Sequence, residues 1–276
     1  MLKTPASPLR FERLLLTGAA GGLGRELRPR LKAYCDSLRL SDINALQPPQ
    51  AAAGEEIVTC PLQDAQAVMQ LVEGVNAIVH LGGVSTEQPW EPILAANIMG
   101  MVNLYEAARK HGVPRIVFAS SNHVMGFYRQ DQVVDAKSPP KPDGFYGLSK
   151  AFGEDVAQLY WDRWGIETVS IRIGSSFPEP RDRRMLATWL SYDDLERLVV
   201  ACLSAPVVGH SIIYGTSDNQ ASWYDNTHAR HIGFRPQDTS DIYRAAIEAR
   251  QPVLDRHDPA VIYQGGGFVK ATPHGQ

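Results

Sequence analysis

The segment that most restricts the fold is Thr17-Gly18-Ala19-Ala20-Gly21-Gly22-Leu23-Gly24, which follows directly on the apolar run Arg13-Leu14-Leu15-Leu16-Thr17. A glycine at the head of such a turn lets the chain reverse tightly off a strand end. A second lets the backbone approach a ligand closely, and a third lets the following helix pack against the strand. The helix that opens here points unpaired N–H groups at whatever lies over the turn, an arrangement suited to phosphate. Glycines alone would signify only a turn; their meaning depends on a β-α-β unit around them.

That context is present. Apolar strands are expected over residues 13–17, 38–40, 56–59, 77–81, 115–119 and 168–173, and helical patterns over 23–34, 66–72, 92–111 and 146–164. Regular alternation of buried strands with helices predicts a parallel sheet covered on both faces. With right-handed crossovers the topology is an α/β, Rossmann-type doubly wound parallel sheet. After Gly174 the rhythm breaks. Residues 176–186 read as a loop over the site, 191–205 as a helix and 211–214 as a returning strand. The chain therefore parses as a single domain, 1–276, with a dinucleotide-binding core at 12–174. Residues 175–276 form mostly a small C-terminal substrate cap.

Bulk properties narrow the function. With 276 residues the chain can bury a full core, and a formal net charge of -3 provides no footprint for nucleic acid. No apolar run reaches membrane-span length, and residues 1–10 read as a loose tail without a signal-peptide core. Cys35, Cys60 and Cys202 lie far apart, so reduced, mostly buried thiols in a cytoplasmic protein are expected. His228 and His231 lack a nearby cysteine or acidic partner, and no metal site is expected.

Asp42 ends the second strand about 20 residues beyond the glycine turn, where a carboxylate accepts ribose hydroxyls and repels a 2′-phosphate. Ile43 and Asn44 follow it rather than arginine, so NAD is expected over NADP. Tyr146 and Lys150 stand four residues apart on one helix face. A phenol titrates near about 10, and an adjacent cation would move it toward the phenolate. By itself such a pair is also compatible with two surface side chains. Ser121, at the carboxyl end of the fifth strand, adds a hydroxyl where open α/β sheets bind ligands.

Together, TGxxGxxG, Asp42, Ser121 and the YxxxK pair resemble the short-chain dehydrogenase/reductase superfamily. Asn97-Ile98-Met99-Gly100 is similar to the NxxG signature of its extended, epimerase-like branch. The resemblance implies Tyr146 as acid/base, Lys150 as ribose ligand and modulator of the tyrosine, and Ser121 as substrate-orienting hydroxyl. It further implies a cofactor site built from Gly18, Gly21, Gly22, Leu23, Gly24, Asp42, Leu62, Leu81, Gly82, Gly83, Asn97, Tyr146, Lys150 and Ser176. One departure stands out. Pro61 follows the third strand where relatives often carry an aspartate for the adenine amino group, leaving the Leu62 backbone and Asp64 as candidates.

Within that branch, HLGGVSTE (80–87), FASSNH (118–123), RIGSSFPEP (172–180), RMLATWLSYDD (184–194) and WYDNTH (223–228) resemble the uronate dehydrogenase family. This implies a small hexuronate substrate, glucuronate or galacturonate, oxidised at C1 to the aldarolactone with NAD. Its ligands would be Ser85, Ser121, Asn122, His123, Tyr146, Ser175 and Arg184. A guanidinium forks onto a carboxylate with two charge-assisted bonds; without the resemblance, Arg184 reads instead as one solvated charge in a cluster with Arg181 and Arg183. The alternative reading of His123 is a packed strand-end histidine. Alternatives on the same scaffold are an epimerase or dehydratase acting on a nucleotide sugar, and a non-catalytic NAD-sensing protein. The helices at 92–111 and 146–164 are those through which the superfamily commonly pairs subunits, so a homo-oligomer is implied.

Overall fold

The computed structural model describes residues 10–48, 54–251 and 254–271; of the expected N-terminal tail, residues 1–9 lie outside these. The first half alternates strands and helices: β1 (Phe11–Thr17), α1 (Gly22–Leu31), β2 (Cys35–Asp42), β3 (Glu55–Thr59), α2 (Ala65–Val72) and β4 (Ala77–His80). A long helical run follows, comprising α3 (Trp90–Ile93), a π-type turn (Leu94–Met99) and α4 (Gly100–His111). Then come β5 (Arg115–Ser121), the two-residue β6 (Val134–Asp135), α5 (Phe145–Trp164) and β7 (Glu167–Ile173). The remainder contributes β8 (Ser175–Ser176), α6 (Met185–Thr188), β9 (Trp189–Leu190), α7 (Tyr192–Ser204), β10 (His210–Gly215), β11 (Tyr224–Asp225), α8 (Arg244–Arg250) and α9 (Pro259–Ile262).

Seven strands form one parallel sheet in the order β3-β2-β1-β4-β5-β7-β10. This is the expected doubly wound, Rossmann-like arrangement. Alternation along β1 explains its two layers. Leu14 and Leu16 pack with Leu27 and Leu31 of α1 and Leu198 of α7. Leu15 faces the opposite core with Leu71, Leu104 and Val156 from α2, α4 and α5. Strand order reverses between β1 and β4, where Thr17 lies level with Ser41 on one side and His80 on the other. The crevice beyond that reversal is where ligands of such sheets bind.

The structure shifts several expected boundaries. The first helix stops at Leu31, and Lys32–Tyr34 tighten into a 3-10 turn rather than extending it. β2 then begins at Cys35, because Phe11 of the longer β1 pairs with Cys35 and carries the ladder outward. Residues 176–186 are not wholly irregular: Ser175–Ser176 pair with Trp189–Leu190, and α6 begins at Met185. The Ser240 hydroxyl donates to the Leu186 carbonyl, which ties this region to the C-terminal third. All three cysteines are buried and unpaired. His228 and His231 go to separate partners, Asp135 and Ser211. Among the described residues no helix is long and apolar enough to cross a membrane.

Candidate active site

A cleft of about 890 Å³ opens at the carboxyl ends of the strands, between the glycine turn and the C-terminal third. Gly18 has φ +68°, and a Cβ there would lie 2.6 Å from the Leu81 carbonyl carbon. At Gly24 a Cβ would come within 2.2 Å of the Gly18 oxygen. The turn thus needs glycine for backbone packing as well as ligand approach. Asp42 braces it from the neighbouring strand. One carboxylate oxygen accepts from the Ala20 N–H at 3.0 Å and the other from the Asn44 N–H at 2.9 Å.

Every expected site residue except Asn97 lines this cleft. Gly18, Gly21, Gly22, Leu23 and Gly24 form one wall with Asp42 and Leu62, and Leu81, Gly82, Gly83 and Ser85 continue it. Ser121, Asn122, His123, Tyr146, Lys150, Ser175, Ser176 and Arg184 complete the far end. Asn97 stands behind the wall within the π-type turn, so its amide is committed elsewhere. It accepts from the Val84 N–H at 2.7 Å and donates to the Val84 carbonyl and the Ser149 hydroxyl. Its place is to fix the loop after β4 to α5. Asp64 is also withdrawn from the cleft, because its carboxylate caps α2 by accepting from the N–H groups of Gln66 and Ala67.

Tyr146 and Lys150 occupy the first turns of α5, which has no side-chain cap of its own. Helix N-termini leave N–H groups unpaired. Here Glu87, from the loop after β4, accepts from Phe145 N–H and Tyr146 N–H with separate oxygens, each at 2.9 Å. Gly144 makes room for it, since a Cβ there would stand 2.3 Å from the Glu87 carboxylate. Burial pushes the Tyr146 phenol up to about 12, with the Ser121 hydroxyl pulling it down. Burial brings the Lys150 ammonium down to about 8. Lys150 Nζ donates to the Ala119 carbonyl at 2.8 Å and lies 5.7 Å from the Tyr146 ring centre. Desolvation, rather than the expected lowering by Lys150, therefore dominates the phenol in this geometry. His80, buried beneath them, is held neutral by burial and the nearby lysine charge, down to about 3.

The far end of the cleft is polar. Arg184 Nε donates to the Gln264 carbonyl at 2.6 Å and Nη1 reaches the Ser175 hydroxyl at 3.3 Å. Its Nη2 is buried without a hydrogen-bond partner among the described residues. Asn122 donates to the Tyr224 hydroxyl at 3.3 Å, and Tyr224 stacks on Tyr214 with ring centres 4.4 Å apart. Tyr214 in turn receives Arg172, which a fully paired Glu154 holds from α5. His123 bonds Asp143 and stacks on Phe268, with ring centres 3.8 Å apart.

Glu87, Asp143 and Phe268 were not anticipated from the sequence. Glu87 had a signal, because a helix beginning Gly-Phe-Tyr has no N-cap side chain to accept from its first N–H groups and must borrow an acceptor. Asp143 looks in sequence like that cap, yet it turns away to His123. Phe268 lies in the C-terminal third and carries no local mark of a site.

Comparison with known proteins agrees with this geometry. The family model for the NAD dependent epimerase/dehydratase family matches residues 14–203. A uronate dehydrogenase from Pseudomonas putida is 61% identical over 95% of this chain and 97% of its own. One from Agrobacterium fabrum is 50% identical over 94% and 97%. A solved structure of a variant uronate dehydrogenase from Agrobacterium tumefaciens in complex with NAD superposes with a TM-score of 0.93 at 48% identity, covering 96% of this chain and 99% of that one. The chain is therefore a member of the NAD-dependent epimerase/dehydratase family, placed within it among the uronate dehydrogenases.

Proposed function

We infer that the protein is an NAD-dependent uronate dehydrogenase that oxidises hexuronates such as glucuronate and galacturonate at C1, yielding the aldarolactone. The observation that carries this reading is one cleft holding Tyr146, Ser121 and Lys150 together with Arg184, whose Nη2 is buried and has no partner among the described residues. The near end fits the cofactor. The turn has no room for side chains at Gly18 and Gly24, Asp42 stands where ribose hydroxyls would be met, and the buried Ser176 hydroxyl lacks a partner among the described residues. Gly18, Gly21, Gly22, Leu23, Gly24, Asp42, Leu62, Leu81, Gly82, Gly83, Lys150 and Ser176 would hold NAD, with Asn97 acting from behind. When bound, NAD supplies the hydride acceptor and a positive nicotinamide.

This chain's own residues do the rest. Arg184 forks onto the substrate carboxylate and so fixes which end of the sugar enters. Ser85, Asn122, His123 and Ser175 take ring hydroxyls. Ser121 holds the C1 hydroxyl beside Tyr146, whose phenolate accepts its proton as C1 is oxidised. Lys150 supplies the charge that stabilises the phenolate, and Ser121 shares the developing alkoxide charge. Because the pyranose ring stays closed, loss of hydride from C1 leaves a lactone.

Residues 12–174 serve as the dinucleotide-binding core of a single domain spanning 1–276, and 175–276 mostly as its substrate cap. Exposed Met99, Val102, Leu148, Leu159 and Trp164 on the two long helical runs support pairing of copies as a homo-oligomer. Three unpaired buried thiols fit the reducing cytoplasm. The functional test is NADH formation across a panel of hexuronates and their parent hexoses. Steady NADH release with uronates, lost in Tyr146→Phe, supports oxidation. No turnover of any hexuronate, or cofactor recycling without NADH release, would replace it with an epimerase-type reaction.

A further inference from the structure

Asp143 is a fully buried carboxylate placed beside the reacting tyrosine, and the chemistry above gives it no task. Its Oδ2 lies 2.7 Å from His123 Nδ1, and its Oδ1 has no hydrogen-bond partner among the described residues. Such a group is costly to bury incompletely paired. The surroundings nevertheless make room for it. A Cβ on Gly126 or on Gly265 would stand 2.0 Å from Asp143 Oδ2, and one on Gly147 would stand 3.1 Å from Oδ1. Gly126 and Gly265 have ordinary helical φ values, -57° and -67°, so space rather than backbone conformation demands glycine at both. Two separate segments, at Gly126 and Gly265, are thus cleared for one carboxylate, whereas Gly147 is needed first by the His123 carbonyl oxygen, 2.4 Å from a Cβ there.

Its partner is held equally firmly. His123 packs its ring against Phe268 and sets its edge toward Tyr146, at 5.8 Å between ring centres. Burial holds the imidazole below its ordinary range, so it is neutral and carries a single ring proton. A carboxylate against Nδ1 requires that proton to lie there. Nε2 is then the ring nitrogen left for the cleft that His123 lines, and it can only accept.

We propose that Asp143 is a positioning residue that locks His123 in its Nδ1–H form, so that Nε2 accepts from one ring hydroxyl of the sugar and makes that hydroxyl a requirement of the site. Discrimination arises because a site built to pair with a hydroxyl rejects an analogue that lacks it. The substrate half of this inference rests on the hexuronate reading; the tautomer half does not.

The test has two parts. Nitrogen-15 NMR of the labelled protein, with the His123 signals assigned by their loss in His123→Gln, reads the tautomer without any turnover. The Nδ1–H form is expected in the wild type. Asp143→Ala, or Gly126→Ala should the first variant not fold, is expected to move the proton toward Nε2. A wild-type Nε2–H form, or an unchanged tautomer in a folded variant, overturns the proposal. In kinetics with hexuronates singly deoxygenated at C2, C3 or C4, the wild type should lose about 10- to 100-fold in kcat/KM for one of them. That penalty should largely vanish in the variant, while its affinity for NADH stays within about twofold. A deoxy penalty of equal size in wild type and variant refutes the positioning role. If the wild type turns over no hexuronate, the hexuronate reading fails, and the NMR result alone decides the role of Asp143.

Discussion

Replacing Arg184 by methionine keeps much of the side chain's apolar volume and removes the charge proposed to read the substrate carboxylate. Among the described residues its Nη2 has no partner and its Nη1 makes only a 3.3 Å contact with Ser175, so this edge is available for a forked contact. A charge-assisted hydrogen bond contributes about 1.5–3 kcal/mol. Arg184 is half-buried, which favours the lower end for each of two bonds, or roughly 3–4 kcal/mol in total. That corresponds to about 10²–10³-fold in kcat/KM for galacturonate. Lysine retains charge but not the fork and should lose about 10- to 30-fold. The assay is the ratio of kcat/KM for galacturonate to that for galactose, together with NADH affinity by fluorescence. The Nε bond to Gln264 is also lost, so thermal unfolding is the control. The uronate preference should collapse while NADH affinity holds. An unchanged preference, or equal losses of uronate and NADH binding, refutes the assignment.

Other consequences follow from the same geometry. With its pKa raised to about 12, Tyr146 stays neutral in the free protein at about pH 10. The tyrosinate absorbance of wild type and Tyr146→Phe should then coincide there, apart from the other tyrosines common to both. Saturating NAD⁺ should produce a difference at lower pH, because a positive nicotinamide favours the phenolate; no such difference would count against Tyr146 as base. Glu87→Ala removes both acceptors at the start of α5 and should cost about 1–2 kcal/mol in stability. Its kcat should fall at least about tenfold as Tyr146 loses its anchor; unchanged melting and kcat would show the cap to be unimportant. Glu154→Ala strands the buried Arg172 guanidinium and should cost about 3–5 kcal/mol, read from urea midpoints. A loss below about 1 kcal/mol would mean that Arg172 finds other partners.

The parallel doubly wound sheet and the cofactor turn were legible because local pattern carries them, while the strand order appears only in the structure. The fully buried Leu14-Leu15-Leu16 run reads as a strand covered on both faces, and the glycines after it can serve only where strand meets helix. Helical spacing and a strand end put Tyr146, Lys150 and Ser121 within reach of the sequence, but only the family resemblance gave them their roles. The end of α1 was less so: Lys32–Tyr34 suit a helix, and only the pairing of Phe11 with Cys35 shows where β2 takes over. Asn97 was found but given a direct contact, since a sequence signature does not show which side of a wall an amide faces. Glu87 and Asp143 escaped for a related reason. Each acts on a residue far along the chain or across the site, and Asp143 depends on Gly265, which arrives more than one hundred residues later. In sequence, an aspartate before Gly144 reads as a cap for the helix that follows, not as a partner for His123.

The central claim is hydride loss from C1 of a closed-ring uronate with Tyr146 as base. Galacturonate carrying deuterium at C1, incubated with NAD⁺ and followed by NMR, tests it most directly. Deuterium should appear at the nicotinamide C4 position, and the first carbohydrate product should be the aldarolactone, which opens to the aldarate only afterwards. Tyr146→Phe should form neither. Deuterium retained on the sugar or released to water, or an open-chain aldarate as the first product, would contradict the account.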